Sequence, residues 1–335
     1  MDTFESEQIE RALSMSSLIS AMRHVYAQPA TVPQRNVMHL SKESDDALAL
    51  LPAWNEELIA VKAFTYFPSN ISDSKDVLSS RLLAFRRQDG TPLASMDAKV
   101  LTYWRTAAAS ALAADYLARS DADTLLICGN GHLAAYFAWA YAAIRPLKRV
   151  LIWGRDQQKS AMTAEKIVHG AEYQALPRER QYQVSIVSDV EQGLQCADMV
   201  SCVTGSPEPL FKGEKVRAGT HVDLVGNHHH DRRECDTQLV LRSKVYVDSR
   251  INVLSEAGEL LIPIAEGEFS PEQIIAELPE LCSGKVLGRG KVSGYRKGLN
   301  SQEEITLYKS VGSALADLAA AHVVLENSSQ LEVGA

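Results

Sequence analysis

At 335 residues the chain exceeds the length at which a single hydrophobic core keeps growing, so two domains are expected. Its 46% apolar and 23% charged residues are the balance of a globular protein with a sizeable core, and they exclude a disordered chain. The net charge is −8 and the basic residues are scattered, which leaves no electrostatic footprint for a nucleic acid or an anionic membrane surface.

The opening, MDTFESEQIERALSM, is acidic and amphipathic, unlike the basic and then apolar start of a secretory signal. The longest apolar runs, such as residues 133–144, are too short to span a bilayer, so a cytoplasmic location without a membrane partner is expected. The spacing predicts a helix over 7–26, followed by short β-branched and aromatic stretches such as LIAVKAFTYFP at 58–68, an α+β pattern. Residues 100–120, rich in alanine and free of Gly and Pro, predict a long helix.

From Thr124 the rhythm changes to strand and helix in alternation. Candidate strands are 124–129, 149–154, 182–187, 198–203, 221–226 and 244–249, separated by amphipathic segments of helical length. Short apolar strands alternating with helices predict a parallel sheet covered on both faces. After Pro263 the pattern loosens into a Gly- and basic-rich stretch at 284–301, and a last helix is predicted over 303–325, expected to return to the first domain. The five cysteines, Cys128, Cys196, Cys202, Cys235 and Cys282, are odd in number and form no Cys-x-x-Cys pair, so reduced and mainly buried thiols are expected.

The first strand of the alternating region ends in GNGHLA, residues 129–134, which fits G-x-G-x-x-G/A. Gly129 serves a tight turn, Gly131 lets the backbone approach a pyrophosphate, and Ala134 is small enough for helix and strand to pack closely. The helix N-terminus then offers its free N–H groups to the anion, and the strand and helix on either side give the motif its required context. After the next strand comes WGRD, with Gly154 at the tip and Arg155 beside it. A carboxylate is missing where it would repel a 2′-phosphate, and a guanidinium is present that suits one. NADPH is therefore favoured, with NADH as the alternative if Asp156 takes the ribose.

The run VGNHHHDRRECD at 225–236 raises the question of a metal. Three adjacent histidines point in diverging directions and at most the first and third share a face of an extended strand, so no metal site is expected.

Several phrases together carry a family resemblance: VKAFTYFP, DGTPLASMDAKVLTYWRTAAASALAADYLAR, GNGHLA, WGRD, the region from RAGTHVDLVG to RRECD, SEAGEL and EEITLYKSVGSAL. Over nearly its whole length the chain resembles the ornithine cyclodeaminase/mu-crystallin family. The resemblance implies a homodimer of two-domain subunits. One domain is a Rossmann-type doubly wound parallel sheet at 121–304. The other is a discontinuous α+β domain for substrate binding and dimerisation, at 1–120 and 305–335.

It also implies a small amino or cyclic imino acid as substrate, its carboxylate held by basic groups at positions matching Arg35, Lys62 and Arg105. Implied cofactor contacts are Gly129, Asn130, Gly131, His132, Leu133, Ala134, Arg155, Asp156, Thr204, Val225, Val311 and Gly312. Asp223 is a lesser candidate for the nicotinamide side, and Glu256 for orienting the histidine loop. Cyclodeaminases carry an aspartate in that loop where this sequence has His228. This departure favours the family's ketimine reductase branch: reduction of Δ1-pyrroline-2-carboxylate to L-proline, with the six-membered homologue as a further candidate. Lys62 and His228 are the candidate catalytic residues, His228 because imidazole titrates near neutral pH. Ornithine or lysine cyclodeamination, an alanine dehydrogenase-like reaction and a crystallin-type NADPH-binding protein are the alternatives.

Overall fold

The computed structural model describes residues 1–73, 75–289, 292–293, 296–297 and 302–333, of which 71, 292–293, 296–297 and 329–333 are described by backbone alone. Within the predicted Gly- and basic-rich stretch, residues 290–291, 294–295 and 298–301 lie outside the described residues. The chain divides into two compact units, Met1–Thr106 with Ser313–Ala335, and Ala107–Gly312.

In chain order the first part forms β1 (Asp2–Phe4), α1 (Ser6–Ala12), α2 (Met15–Ala27), β2 (Asn36–His39), β3 (Ala47–Trp54), β4 (Leu58–Tyr66), β5 (Leu78–Arg86), β6 (Pro92–Asp97) and α3 (Ala98–Leu117), with the unit boundary inside α3. There follow β7 (Thr124–Cys128), α4 (His132–Ile144), β8 (Arg149–Trp153), α5 (Gln157–His169), α6 (Ala171–Gln174), β9 (Gln183–Val187), α7 (Val190–Cys196), β10 (Met199–Cys202) and β11 (His221–Leu224). The last third adds α8 (Thr237–Arg242), β12 (Ser243–Val247), α9 (Arg250–Glu256), α10 (Gly258–Ala265), β13 (Ile274–Glu277), α11 (Leu278–Cys282), β14 (Val292–Ser293), β15 (Arg296–Lys297), β16 (Ile305–Lys309) and α12 (Ala314–Val333).

The first unit is a six-stranded sheet in the order β1-β6-β5-β4-β3-β2, antiparallel except for the β1–β6 pair. Along β3 and the first half of β4, buried and half-buried residues alternate, the signature of a sheet with one face against a core. Helix α12 covers β3 and β4 and packs on α2. The helix predicted over 7–26 is in fact two: Leu13 is extended, and Ser14 starts α2 as its N-cap, its hydroxyl accepting from Ser17 N at 3.2 Å. A capping serine satisfies an N–H that a continuing helix would have bonded internally, which is why the break falls there.

The second unit holds an eight-stranded sheet in the order β13-β12-β16-β11-β10-β7-β8-β9, with every pair parallel. Strands β7, β10, β11 and β16 are buried at every position, as a sheet covered on both faces requires. The six predicted strands are all present. The helix predicted from 303 is corrected by the structure: Ile305–Lys309 is β16, seated between β11 and β12, and α12 begins only at Ala314. ITLYK is too short and too apolar for its period to separate strand from helix, and only the vacancy between two parallel neighbours decides it. Among the described residues no helix is long and apolar enough to cross a membrane.

Candidate functional site

In the second unit the chain runs from β7 outwards to β8 on one side and β10 on the other, so the strand order reverses between β7 and β10. Ligands of open α/β sheets bind at such a switch point, outside the carboxyl ends of the strands. A cleft of about 320 Å³ lies there, lined among others by Gly129, Asn130, Gly131, Arg155, Asp156 and Thr204. Gly129 has φ +132°, and a Cβ on it would stand 2.9 Å from the Val203 side chain. Gly131, the N-cap of α4, faces open space instead. The first glycine is therefore demanded by the fold and the second leaves the helix N-terminus open to an anion, the pattern expected of a phosphate cradle. His132, Leu133 and Ala134 form the first turn of α4, and Ala134 is fully buried on it.

The side chain of Asn130 ties this turn to the next helix, donating to Asp156 O at 2.8 Å and Ser160 Oγ at 3.1 Å. A Cβ on Gly154 would lie 2.3 Å from that amide nitrogen, which accounts for the glycine in WGRD. Asp156 caps α5, accepting from Gln158 N at 3.0 Å and Lys159 N at 3.1 Å. Arg155 is exposed on the cleft wall, and Lys159 adds a second cation there.

The histidine loop follows β11. His228, His229 and His230 are exposed, and the first two rings stack with centroids 4.8 Å apart. Among the described residues no group of three or more His, Cys, Asp or Glu side chains could hold a metal ion. What fixes the loop is Glu234, fully buried, which accepts from Thr204 N at 2.6 Å, Thr204 Oγ1 at 2.8 Å and Gly226 N at 2.9 Å. One carboxylate thus joins the loops that leave β10 and β11. Glu259 accepts from Glu234 N at 3.2 Å and lies 2.9 Å from Lys309 Nζ, which in turn donates to Asn227 O at 2.6 Å. Burial pushes the Glu234 carboxyl up to about 7 against the pull of Lys309, with Glu259 adding to the rise. Glu259 thus contacts this loop from α10. Val225 N donates to Cys202 O at 3.0 Å, and Asp248 gathers the loop after β16 by accepting from Val311 N at 3.0 Å and Gly312 N at 2.8 Å.

Asp223 turns into the core, where it accepts from Tyr141 OH at 3.2 Å and burial raises its carboxyl to about 7. Asp223 and Glu234 hold their protons more tightly folded than unfolded. Their contribution is thus present at low pH and is lost as pH rises from about 4 through 7, then stays flat. Asp223→Asn is expected to narrow the gap between unfolding free energies measured in urea at pH 5.5 and pH 8, by raising the value at pH 8; an unaltered gap would remove Asp223 from the account.

In the first unit the residues expected to hold a carboxylate come together. Lys62 shares a sheet face with the buried Leu58 and Ala60, which turns its ammonium inward under α12. There Lys62 Nζ donates to Asp317 Oδ1 at 3.1 Å and lies 2.8 Å from Oδ2. Arg105 comes from α3, its Nε 3.0 Å from Asp317 Oδ1 but off the line of a hydrogen bond, an ionic contact. All three are buried. Burial lowers the Lys62 ammonium to about 8, Arg105 lowers it further, Asp317 opposes, and Arg35 adds a smaller downward push. Two cations share one carboxylate with a third cation near, so the cluster carries excess positive charge where water is scarce. That is the electrostatic condition for holding a small anion.

Sequence reasoning passed over Asp317 and the Glu259–Lys309 pair. The signal for Asp317 was present, a single acid in the apolar run ALADLAAA, since a lone charge on a buried helix demands a partner.

A buried cluster of two cations on one carboxylate in one unit and a phosphate-type turn at the switch point of a parallel sheet in the other define an α/β protein of the two-unit dinucleotide-binding class. The chain belongs to the ornithine cyclodeaminase/mu-crystallin family, whose model matches residues 2–332. It is 42% identical over 331 residues to the Δ(1)-pyrroline-2-carboxylate reductase of Colwellia psychrerythraea, covering 97% of this chain and 99% of that one. To the enzyme of the same name from Paracoccus denitrificans it is 35% identical, over 79% of this chain and 78% of that one. Among solved structures, Δ(1)-pyrroline-2-carboxylate reductase of Thermococcus litoralis in complex with NADH and L-proline superposes with a TM-score of 0.86 at 29% identity, covering 100% of this chain and 98% of that chain.

Proposed function

We propose that the protein is an NAD(P)H-dependent imine reductase that converts Δ1-pyrroline-2-carboxylate to L-proline, with the six-membered homologue as a further substrate. The observation that carries this reading is the buried Lys62–Arg105–Asp317 cluster, whose surplus positive charge suits a substrate with one carboxylate. The relatives named for this reaction support it. We assign the protein to a cytoplasmic homodimer, with the unit Met1–Thr106 and Ser313–Ala335 as the substrate-binding and dimerisation domain and Ala107–Gly312, which includes β16, as the dinucleotide-binding domain.

In this reading Arg105 and Lys62, aided by Arg35, hold the carboxylate and fix the plane of the ring, which removes much of the orientational cost of reaction. Lys62, titrating near neutrality, also holds a proton close to the bound anion. Reduction adds a proton to the imine nitrogen and a hydride to the imine carbon, turning C=N into CH–NH. The reduced nicotinamide supplies the hydride when bound. His228, in the loop at the carboxyl end of β11, is the second candidate for supplying the proton. The residues that suit the dinucleotide are Gly129, Gly131 and the start of α4 for the pyrophosphate, Thr204, Val225, Val311 and Gly312 for the nicotinamide half, and Arg155 for the ribose end.

NADPH is the preferred cofactor in this proposal. Arg155 and Lys159 place two cations on the cleft wall, while the Asp156 carboxylate is engaged in capping α5. Arg155→Asp is expected to reverse the ratio of kcat/KM for NADPH and NADH, and an unchanged ratio discards the cofactor assignment. The activity itself is tested with a panel of cyclic and acyclic imines and both reduced cofactors, following loss of the nicotinamide absorbance. Ammonia released from L-ornithine with catalytic NAD, without reduction of added imine, would replace this reading by a cyclodeaminase, and tight NADPH binding without turnover by a carrier.

A further inference from the structure

We propose that Asp317 is a positioning residue for the anion site: from α12 it fixes the Lys62 ammonium beside the Arg105 guanidinium and keeps the proton on Lys62 at neutral pH. The role in turnover rests on the reading of Lys62 as a substrate-holding group; the electrostatic role does not. Asp317 is 1% exposed and stands under both cations, with Lys62 Nζ 2.8 and 3.1 Å from its two oxygens and Arg105 Nε 3.0 Å from one of them. Each comes from a different element, β4, α3 and α12, and among the described residues the acid facing Lys62 comes from α12.

The charged groups facing Lys62 are Arg105 from α3, Arg35 from the segment before β2, and Asp317 from α12. Burial and the two arginines favour loss of the lysine proton, and Asp317 opposes them. A neutral lysine would no longer attract a carboxylate, so the site's affinity for an anion depends on a residue that itself repels one. Asp317 also limits the surplus charge of the cluster. Without it, the two buried cations, with Arg35 near them, would repel one another and lose their shared geometry.

The test compares wild type with Asp317→Asn in two readouts. The first needs no turnover: competitive acetylation across a pH series, with the Lys62 peptide quantified by mass spectrometry, gives the pH of half-maximal lysine reactivity. Wild type is expected near the value of about 8, and Asp317→Asn lower by about one unit or more, the usual effect of a contacting opposite charge. The second is the pH profile of kcat/KM for imine reduction, whose alkaline limb should move down by the same amount. In a Lys62→Arg background, where the cation no longer titrates, the shift should vanish.

An unmoved acetylation midpoint overturns the proposal. So does a uniform loss of rate at every pH with an unmoved limb, which marks a merely structural residue, or a shift that persists in the Lys62→Arg background. If wild type reduces no cyclic imine carboxylate, the functional reading fails while the acetylation midpoint still decides the electrostatic role. Should Asp317→Asn not fold, Asp317→Glu keeps the charge and alters its reach: the midpoint should stay at the wild-type value while kcat/KM falls about tenfold or more, the scale of a misplaced positioning group. Unchanged kcat/KM in that variant overturns the positioning role.

Discussion

Lys62→Ala is expected to lower kcat/KM for the imine by about 10²–10³-fold, the scale of a lost preorganised charge contact at a reacting centre. The expectation follows from the charge count at the cluster. Lys62 and Arg105 share Asp317, and in the proposed reaction their surplus charge attracts the substrate carboxylate; without the ammonium, Asp317 offsets Arg105 and the attraction is left to Arg35. The buried position makes the loss large, because solvent does not screen what remains. Steady-state kinetics at pH 7 measures it. Lys62→Arg keeps the charge and should retain part of the activity, losing what depends on the compact ammonium. Near-normal turnover of Lys62→Ala would remove this lysine from the site and with it the main support for the proposed reaction.

Lys309→Met is expected to be the most destabilising change in the second unit, by about 3–5 kcal/mol at pH 8, the cost of breaking a buried ion pair by removing one partner. Lys309 and Glu259 are both wholly buried, and Glu234 lies against the same pair. Removing the ammonium strands two buried carboxylates and also the Asn227 carbonyl that it bonds. Lys309 pulls the Glu234 carboxyl down, so its removal lets Glu234 keep its proton above about 7; the loss should therefore grow as pH rises through about 7 and be smaller and level below it. Urea unfolding at pH 8 and pH 5.5 reads both effects. Adding Glu259→Gln should recover part of the stability, since the defect is charge rather than volume. Equal loss at the two pH values, with no recovery in the double variant, would show that packing and not electrostatics holds the histidine loop.

The two candidate sites, one on each unit, were unequally readable. The phosphate turn was legible because its requirements are local: a glycine at positive φ pressed on Val203, another facing open space, and an alanine under the helix, all within six residues. The six predicted strands were legible for a similar reason, since apolar runs bounded by turns and separated by helical segments need no knowledge of their neighbours. Lys62, Arg105 and Arg35 were found through a resemblance, because nothing in their spacing of dozens of residues announces a common target.

Composition and pattern by themselves determined the class: a parallel α/β sheet with a phosphate turn at its first strand, and an α+β segment before it. Tertiary structure alone decided the rest. ITLYK is a strand because β11 and β12 leave a place between them whose backbone groups must be paired. The break at Ser14 is a helix start because a hydroxyl caps it. Asp317 pairs with Lys62 and Arg105, and Glu234 and Glu259 tie the histidine loop to Lys309, through contacts between residues that only packing brings together. A propensity is a property of a few consecutive residues, whereas the partner that neutralises a buried charge lies as much as 255 positions away and is chosen by packing.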